Sequence, residues 1–211
     1  MPRSHPPLRT DCPYHITART NNREWFGPTL EEVWRIFEDQ LLFISCAFGV
    51  KIHGFVLMSN HFHLLLSDPE ANMSPAMRWF MTETSRHTNR LMDMTNHVYG
   101  QRHYRSVIES YHYFLHAYKY LYRNPVEAGA CQIVEEYPYS TIQGLFGFRK
   151  LAFPVSDLLL MEDCEGTLKW LNQSVKEEDR QTIQLALRKP IFKLGVDRTT
   201  RKPSHLEENR Y

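Results

Sequence analysis

Apolar positions along this chain alternate between a two-residue and a helical period. Tyr14-His15-Ile16-Thr17-Ala18-Arg19 has the β-branched and aromatic make-up of a strand, which Asn21-Asn22 then ends. From Leu30 onward Val33, Ile36, Phe37, Leu41, Ile44 and Phe48 recur at helical spacing and define a buried stripe. Thr29 and Glu32 form a capping box ahead of that helix, and Gly49 is placed to stop it. Lys51 to Met58 reads as a second strand, Ser59-Asn60 as a tight turn, and His61-Phe62-His63-Leu64-Leu65-Leu66 as the strand that returns from it. Asp68 to Asn72 breaks the pattern. Ser74-Pro75 then offers a cap and a first-turn proline, which predicts a helix from about Pro75 to Met92 with Met77, Phe80, Met81, Thr84 and Leu91 inward. A short fourth strand is expected through His103 to Ile108, followed by a helix that Ser110 caps. The order β-α-β-β-α-β-α is the split βαβ pattern of a ferredoxin-like α+β fold, an antiparallel sheet with helices packed on it. Residues 1–150 are expected to form the main domain, opening with a proline-rich arm to Pro13. Residues 151–211 are expected to form a helical accessory region with a basic tail.

Composition narrows the class. With 42% hydrophobic residues the chain can build a packed core, and no apolar run approaches the roughly 20 residues of a membrane helix. The start lacks the apolar segment of a secretory signal, so a cytoplasmic protein without a membrane partner is expected. Cys12, Cys46, Cys131 and Cys164 are far apart and read as reduced thiols. A formal net charge of +1 does not announce a nucleic-acid binder, but its distribution is uneven. Between 180 and 203 lie Arg180, Arg188, Lys189, Lys193, Arg198, Arg201 and Lys202 against Asp197 alone. Such a stretch suits a phosphate backbone; the alternative is a solvated, partly disordered terminus.

Candidate chemistry centres on His61 and His63. In an extended chain both side chains point to one face while Phe62, Leu64 and Leu66 point to the other, so one face is chemical and the other is core. Two parallel imidazoles can chelate a divalent cation; the alternative is a half-exposed strand with two incidental histidines. The helix over 111–124 carries Tyr120, Asn124, Tyr113 and His116 on one side and Tyr111, Leu115, Tyr118 and Tyr122 on the other. The Asn124 amide oxygen is a hard ligand able to complete a set with the histidines beside the Tyr120 hydroxyl. A phenol titrating near 10 is a weak nucleophile at neutral pH, and a metal-bound phosphodiester is the kind of activated electrophile it needs. His116 is a candidate base for the phenolic proton, or else a hydrogen-bonded structural residue.

Several ordered motifs resemble the REP-associated tyrosine transposases of the HUH single-strand DNA transposase superfamily. They are Tyr14 to Arg19, His61-Phe62-His63 after Met58-Ser59-Asn60, Arg102-His103-Tyr104, Tyr120 through Gly129, and Tyr137-Pro138-Tyr139-Ser140-Thr141. The resemblance covers roughly residues 12–148 and implies Tyr120 as nucleophile and Asn124 as third metal ligand. Tyr122, where family members often carry histidine or an apolar residue, leaves a second tyrosine near the site. The resemblance further implies metal-dependent cleavage and strand transfer on single-stranded or hairpin DNA through a 5′-phosphotyrosine, with Mg²⁺ or Mn²⁺, by a monomer or homodimer. Arg86, Arg90, Arg102, Arg188, Lys189, Arg201 and Lys202 are the expected DNA contacts. Two rivals are an RNA- or single-stranded-DNA-binding module of RRM-like fold, which does not require the histidine pair, and a zinc hydrolase, for which asparagine is a poor ligand.

Overall fold

A computed structural model describes residues 8–95, 97–157, 159–196 and 201–209. The expected arm over residues 1–7, and Asp197 and Arg198 of the basic stretch, lie outside the described residues. The chain opens with β1 (Pro13–Arg19), α1 (Leu30–Phe48), β2 (Lys51–Leu57), β3 (His61–Ser67), α2 (Met73–Met92), β4 (Tyr104–Val107) and α3 (Tyr111–Glu127). Four shorter helices follow: α4 (Ile142–Leu145), α5 (Leu159–Glu162), α6 (Cys164–Asn172) and α7 (Glu177–Leu187). The strands form one antiparallel sheet in the order β2-β3-β1-β4, the ferredoxin-like arrangement that the element order implies.

Local signals account for most boundaries. The Thr29 hydroxyl accepts from the Glu32 amide while the Glu32 carboxylate accepts from the Thr29 amide, and Gly49 ends α1 in the left-handed region at φ 67°. The start of α2 differs from the expectation at Ser74-Pro75. Asp68, fully buried, accepts from the amides of Asn72 and Met73 at 2.8 Å each, so a carboxylate from the end of β3 caps the helix ahead of the expected start. Leu91, expected inside, is 52% exposed, in a last turn of α2 that is exposed from Arg90 onward.

Each face of the sheet is covered. Phe62, Leu64 and Leu66 of β3 enter a core with Trp34, Phe37, Ile44, Met77 and Phe80 of α1 and α2. On the other face Val56 and Leu65 meet Tyr118, Leu121 and Tyr122 of α3. The face expected to be chemical is therefore also a core, and His63 is only 5% exposed within it. This closure removes the open aromatic sheet surface that an RRM-like module stacks bases on. Glycine permits the close approach of α3. A register shift falls between Ile52 and Gly54, and a Cβ on Gly54 would stand 3.0 Å from the Tyr122 hydroxyl oxygen.

Both sheet edges are paired by non-strand segments. Along β2, the Leu57 amide donates to the Tyr139 carbonyl, Thr141 exchanges bonds with Phe55, and the Tyr137 hydroxyl donates to the Leu57 carbonyl. The Tyr137 to Thr141 motif is thus an edge cover. Along β4, Val107 donates to the Pro190 carbonyl and Phe192 donates to that of Val107.

The C-terminal region expected as helical with a basic tail packs into the core and is not a solvated arm. Ile183 and Leu187 of α7, then Phe192, Leu194 and Leu206, are all buried in the core that holds Tyr118 and Leu121. Fully burying such side chains contributes about 1.5–3 kcal/mol each, so together they rival the whole stability of an ordinary domain, about 5–15 kcal/mol. Truncation after Asp179 is accordingly expected to abolish cooperative unfolding, read as loss of the thermal transition by circular dichroism. A truncated chain that melts like the full one would refute this packing.

Candidate active site

The strand pairing that places β3 beside β1 brings together more histidine than the HFH triplet shows. His61 pairs with Arg19 and His63 with Thr17 across the ladder, and His15, two residues from Thr17 along β1, lies diagonal to His63. His15 Nε2 and His63 Nδ1 are 2.9 Å apart, with the rings stacked at 5.1 Å between centroids. The His61 and His63 rings are 5.0 Å apart and nearly perpendicular.

Neighbouring groups decide which ring nitrogens are available. Asn60 donates through Nδ2 to the Arg23 carbonyl at 2.9 Å, which turns its Oδ1 toward His61 Nδ1 at 2.7 Å. An amide oxygen only accepts, so His61 Nδ1 carries the proton and Nε2 keeps its lone pair. His63 Nδ1 is engaged by His15, while His63 Nε2 is buried without a hydrogen-bond partner among the described residues. Burial, with Arg19 close by, holds His61 at about 3; burial alone holds His15 at about 3. His63 is pushed well below the usual histidine range by burial, then by His61, His15 and Arg19. All three rings are neutral at pH 7, the form that ligates metals.

Helix α3 delivers the remaining groups. The Tyr120 ring sits edge-on to His63 at 5.6 Å and to His15 at 6.1 Å and is 6% exposed. Asn124, one turn on, donates Nδ2 to the Tyr120 carbonyl, which leaves Oδ1 as the atom it can offer a ligand. These residues line a cavity of about 850 Å³ that also takes in Arg19, Arg102, Glu127, Arg180, Gln184 and Arg188. Arg180, Gln184 and Arg188 are spaced four apart on α7 and its last turn, so they form one row facing the cavity. Burial raises the Tyr120 hydroxyl above the ordinary phenol value, opposed by a hydrogen bond from Gln184 and by the charges of Arg180, Arg188 and Arg19.

Other expected site residues lie elsewhere. His116 is buried with its ring nitrogen 2.9 Å from the Leu206 carbonyl and 3.0 Å from His112, outside the cavity lining. A C-terminal turn that the helix period could not reveal covers its side of α3. Tyr122 is turned away, its hydroxyl 2.8 Å from Thr141 Oγ1. Of the expected DNA contacts, Arg102 and Arg188 line the cavity. Arg86 pairs with Glu83, Arg90 is exposed near the end of α2, Lys189 donates to the Lys193 carbonyl, and Arg201 and Lys202 are exposed. Sequence reading missed His15, Asn60, Arg19 and Gln184. His15 carried the one available signal, a histidine within the first strand.

Among the described residues no group of three or more His, Cys, Asp or Glu side chains is arranged to hold a metal ion. Two imidazoles and one amide oxygen are the groups here that a cation would have to use. The free lone pair of His61 Nε2 and the orphaned, buried His63 Nε2 fit such a role.

Known proteins resemble this chain in sequence pattern and in fold. A family model described as "Transposase IS200 like" matches residues 9–121. No curated protein matches the chain. Among solved structures, a REP-associated tyrosine transposase bound to a REP hairpin superposes with a TM-score of 0.58 at 16% identity, covering 83% of this chain and 93% of that one. A protein described as a transposase candidate from Deinococcus radiodurans R1 matches at 14% identity with a TM-score of 0.39, covering 56% of this chain and 94% of that one.

The buried neutral histidines make stability pH-dependent. Below the ordinary value of about 6.5 the unfolded chain takes up protons that folded His15 and His61 refuse down to about 3. Their stabilising contribution is therefore complete above pH 6.5 and is lost as pH falls toward 3, at up to about 1.4 kcal/mol per pH unit for each ring. Urea midpoints measured from pH 7 to pH 4.5 should fall, and fall less steeply in His15→Gln. A slope unaltered by that substitution would count against a neutral His15.

Proposed function

The chain belongs to the IS200-like transposase family, and from that premise we propose that it is a metal-dependent single-stranded DNA endonuclease and strand transferase with Tyr120 as its nucleophile. The observation that carries this reading is the shared cavity in which the Tyr120 ring meets His63 while Asn124 and His61 line the same walls. His61, His63 and Asn124 would hold the cation, Mg²⁺ or Mn²⁺. When bound, it neutralises charge on the scissile phosphate and makes phosphorus a better electrophile.

The chain's own residues do the rest. Tyr120 Oη forms a bond to phosphorus as the bond from phosphorus to the 3′-oxygen breaks. The phenol gives up its proton, the departing 3′-oxygen gains one, and the 5′-phosphate remains on tyrosine. Gln184 orients the attacking oxygen, and Arg19, Arg180 and Arg188 stabilise negative charge as it develops. One phosphodiester replaces another, so a 3′-hydroxyl can reverse the step, as strand transfer requires. Arg102 and Arg188 at the cavity are the contacts we assign to the DNA backbone, with Arg86, Arg90, Lys189, Arg201 and Lys202 as outlying ones. A hairpin with single-stranded flanks is the partner this reading favours, supported by the hairpin-bound protein of the same fold.

The test is covalent trapping. Full-length protein incubated with a labelled DNA hairpin bearing single-stranded flanks and Mn²⁺ or Mg²⁺ should give an adduct that survives denaturing gels. Tyr120→Phe should remove it while leaving the melting curve near that of the parent; adduct lost instead in Tyr122→Phe or Tyr113→Phe would reassign the nucleophile. His61→Ala and His63→Ala should each lower adduct formation by at least about a hundredfold, the scale at which coordinated cations act. Undiminished adduct in excess chelator would eliminate the metal.

A further inference from the structure

A second cavity, of about 660 Å³, opens between α2 and the 97–105 segment that leads into β4. Its floor is apolar, with Met77 and Met81 of α2 facing Val98 and Tyr99. The Tyr99 hydroxyl is tied to Thr84 Oγ1 at 2.8 Å, so this ring is a fixed wall. Arg78, Arg86, Arg102 and Arg105 supply the sides, and among the described residues no carboxylate lines the space. Glu83 offsets Arg86 and Asp68 attracts Arg105, which leaves the surplus positive charge on Arg78 and Arg102. Gln101 and Arg102 line both this cavity and the one beside Tyr120, so the two adjoin at these side chains.

The combination is selective in what it fits. A groove for backbone phosphates alone needs no apolar floor, and a pocket for an apolar molecule needs no arginines. A nucleotide has one flat, largely apolar base and one anionic phosphate, and the volume lies in the range of small-ligand pockets, about 300–1,000 Å³. Resting on the functional reading above, we propose that this second cavity is a subsite for one unpaired nucleotide of the DNA strand cleaved beside Tyr120. Its base lies against Met81, Val98 and Tyr99, and its phosphate lies on Arg78 and Arg102. The subsite places one base of the flank under inspection when the scissile phosphate is seated, which ties cleavage to local sequence.

The test is an abasic scan. A fluorescent DNA hairpin with single-stranded flanks is made as a set in which each flanking nucleotide in turn is abasic, and each is titrated into the full chain by anisotropy in chelator. The wild-type chain is expected to lose affinity by roughly tenfold at one position, as loss of base stacking does. Arg78→Ala and Thr82→Trp change exposed positions of α2 that line the cavity, one removing charge and the other filling space. Both should bind the intact DNA more weakly and make that abasic position silent. A scan with the same profile in wild type and both variants overturns the subsite. DNA binding without any covalent adduct would overturn the role of Tyr120 and leave the subsite standing, whereas no DNA binding at all overturns both.

Discussion

The register of β3 against β1 is the constraint on which the site depends. Side chains on a strand alternate with a period of two, so a slip by one residue would carry Phe62, Leu64 and Leu66 out of the core beneath α1 and α2 and drive His61 and His63 into it. Each of those three apolar side chains is fully buried, and losing their burial costs about 1.5–3 kcal/mol apiece. The two imidazoles are thus aimed by the hydrophobic residues between and beyond them. Their direction is set by the sheet face packed beneath α1 and α2.

A second set of contacts orients α3 over the opposite face. Tyr118 donates to the buried carboxylate of Asp157, Tyr122 bonds to Thr141, and Gly54 lets the helix approach β2 without a side chain in between. Tyr118 and Tyr122 are anchors whose hydroxyls are consumed by the fold, and Tyr120, between them in sequence, is rotated toward the histidines. A helix advances about 100° per residue, so two anchored tyrosines flanking a third leave the third little freedom of direction.

Electrostatics divides the cavity into a neutral floor and a cationic rim. The imidazoles of His61 and His63 are buried where a proton would be penalised both by desolvation and by Arg19, so they stay neutral, the form in which imidazole can ligate a metal. Arg19, Arg102 and Arg188 supply positive charge around them, suited to a phosphodiester. The chain's small net charge hides this arrangement because acidic residues such as Glu31, Glu83 and Glu177 are spent on pairs with Arg149, Arg86 and Arg180.

Local physics was legible in the residues themselves. The capping box at Thr29, the stop at Gly49, the alternation in His61 to Leu66 and the cap at Ser110 act within a few positions, and each boundary follows from them. The histidine pair and the four-residue step from Tyr120 to Asn124 are periodicities of single elements, so they too were open to reading. What joins distant segments was not. Asp68 caps α2 from outside the helix, His15 backs His63 across the ladder, and Arg180, Gln184 and Arg188 close the cavity from a C-terminal helical and basic region whose docking no local pattern revealed. Those last three arrive when burying Ile183, Leu187, Phe192 and Leu206 pulls the C-terminal segment onto α3. Periodicity reveals which face of an element is buried, but tertiary packing decides what buries it and which polar side chains arrive with that partner.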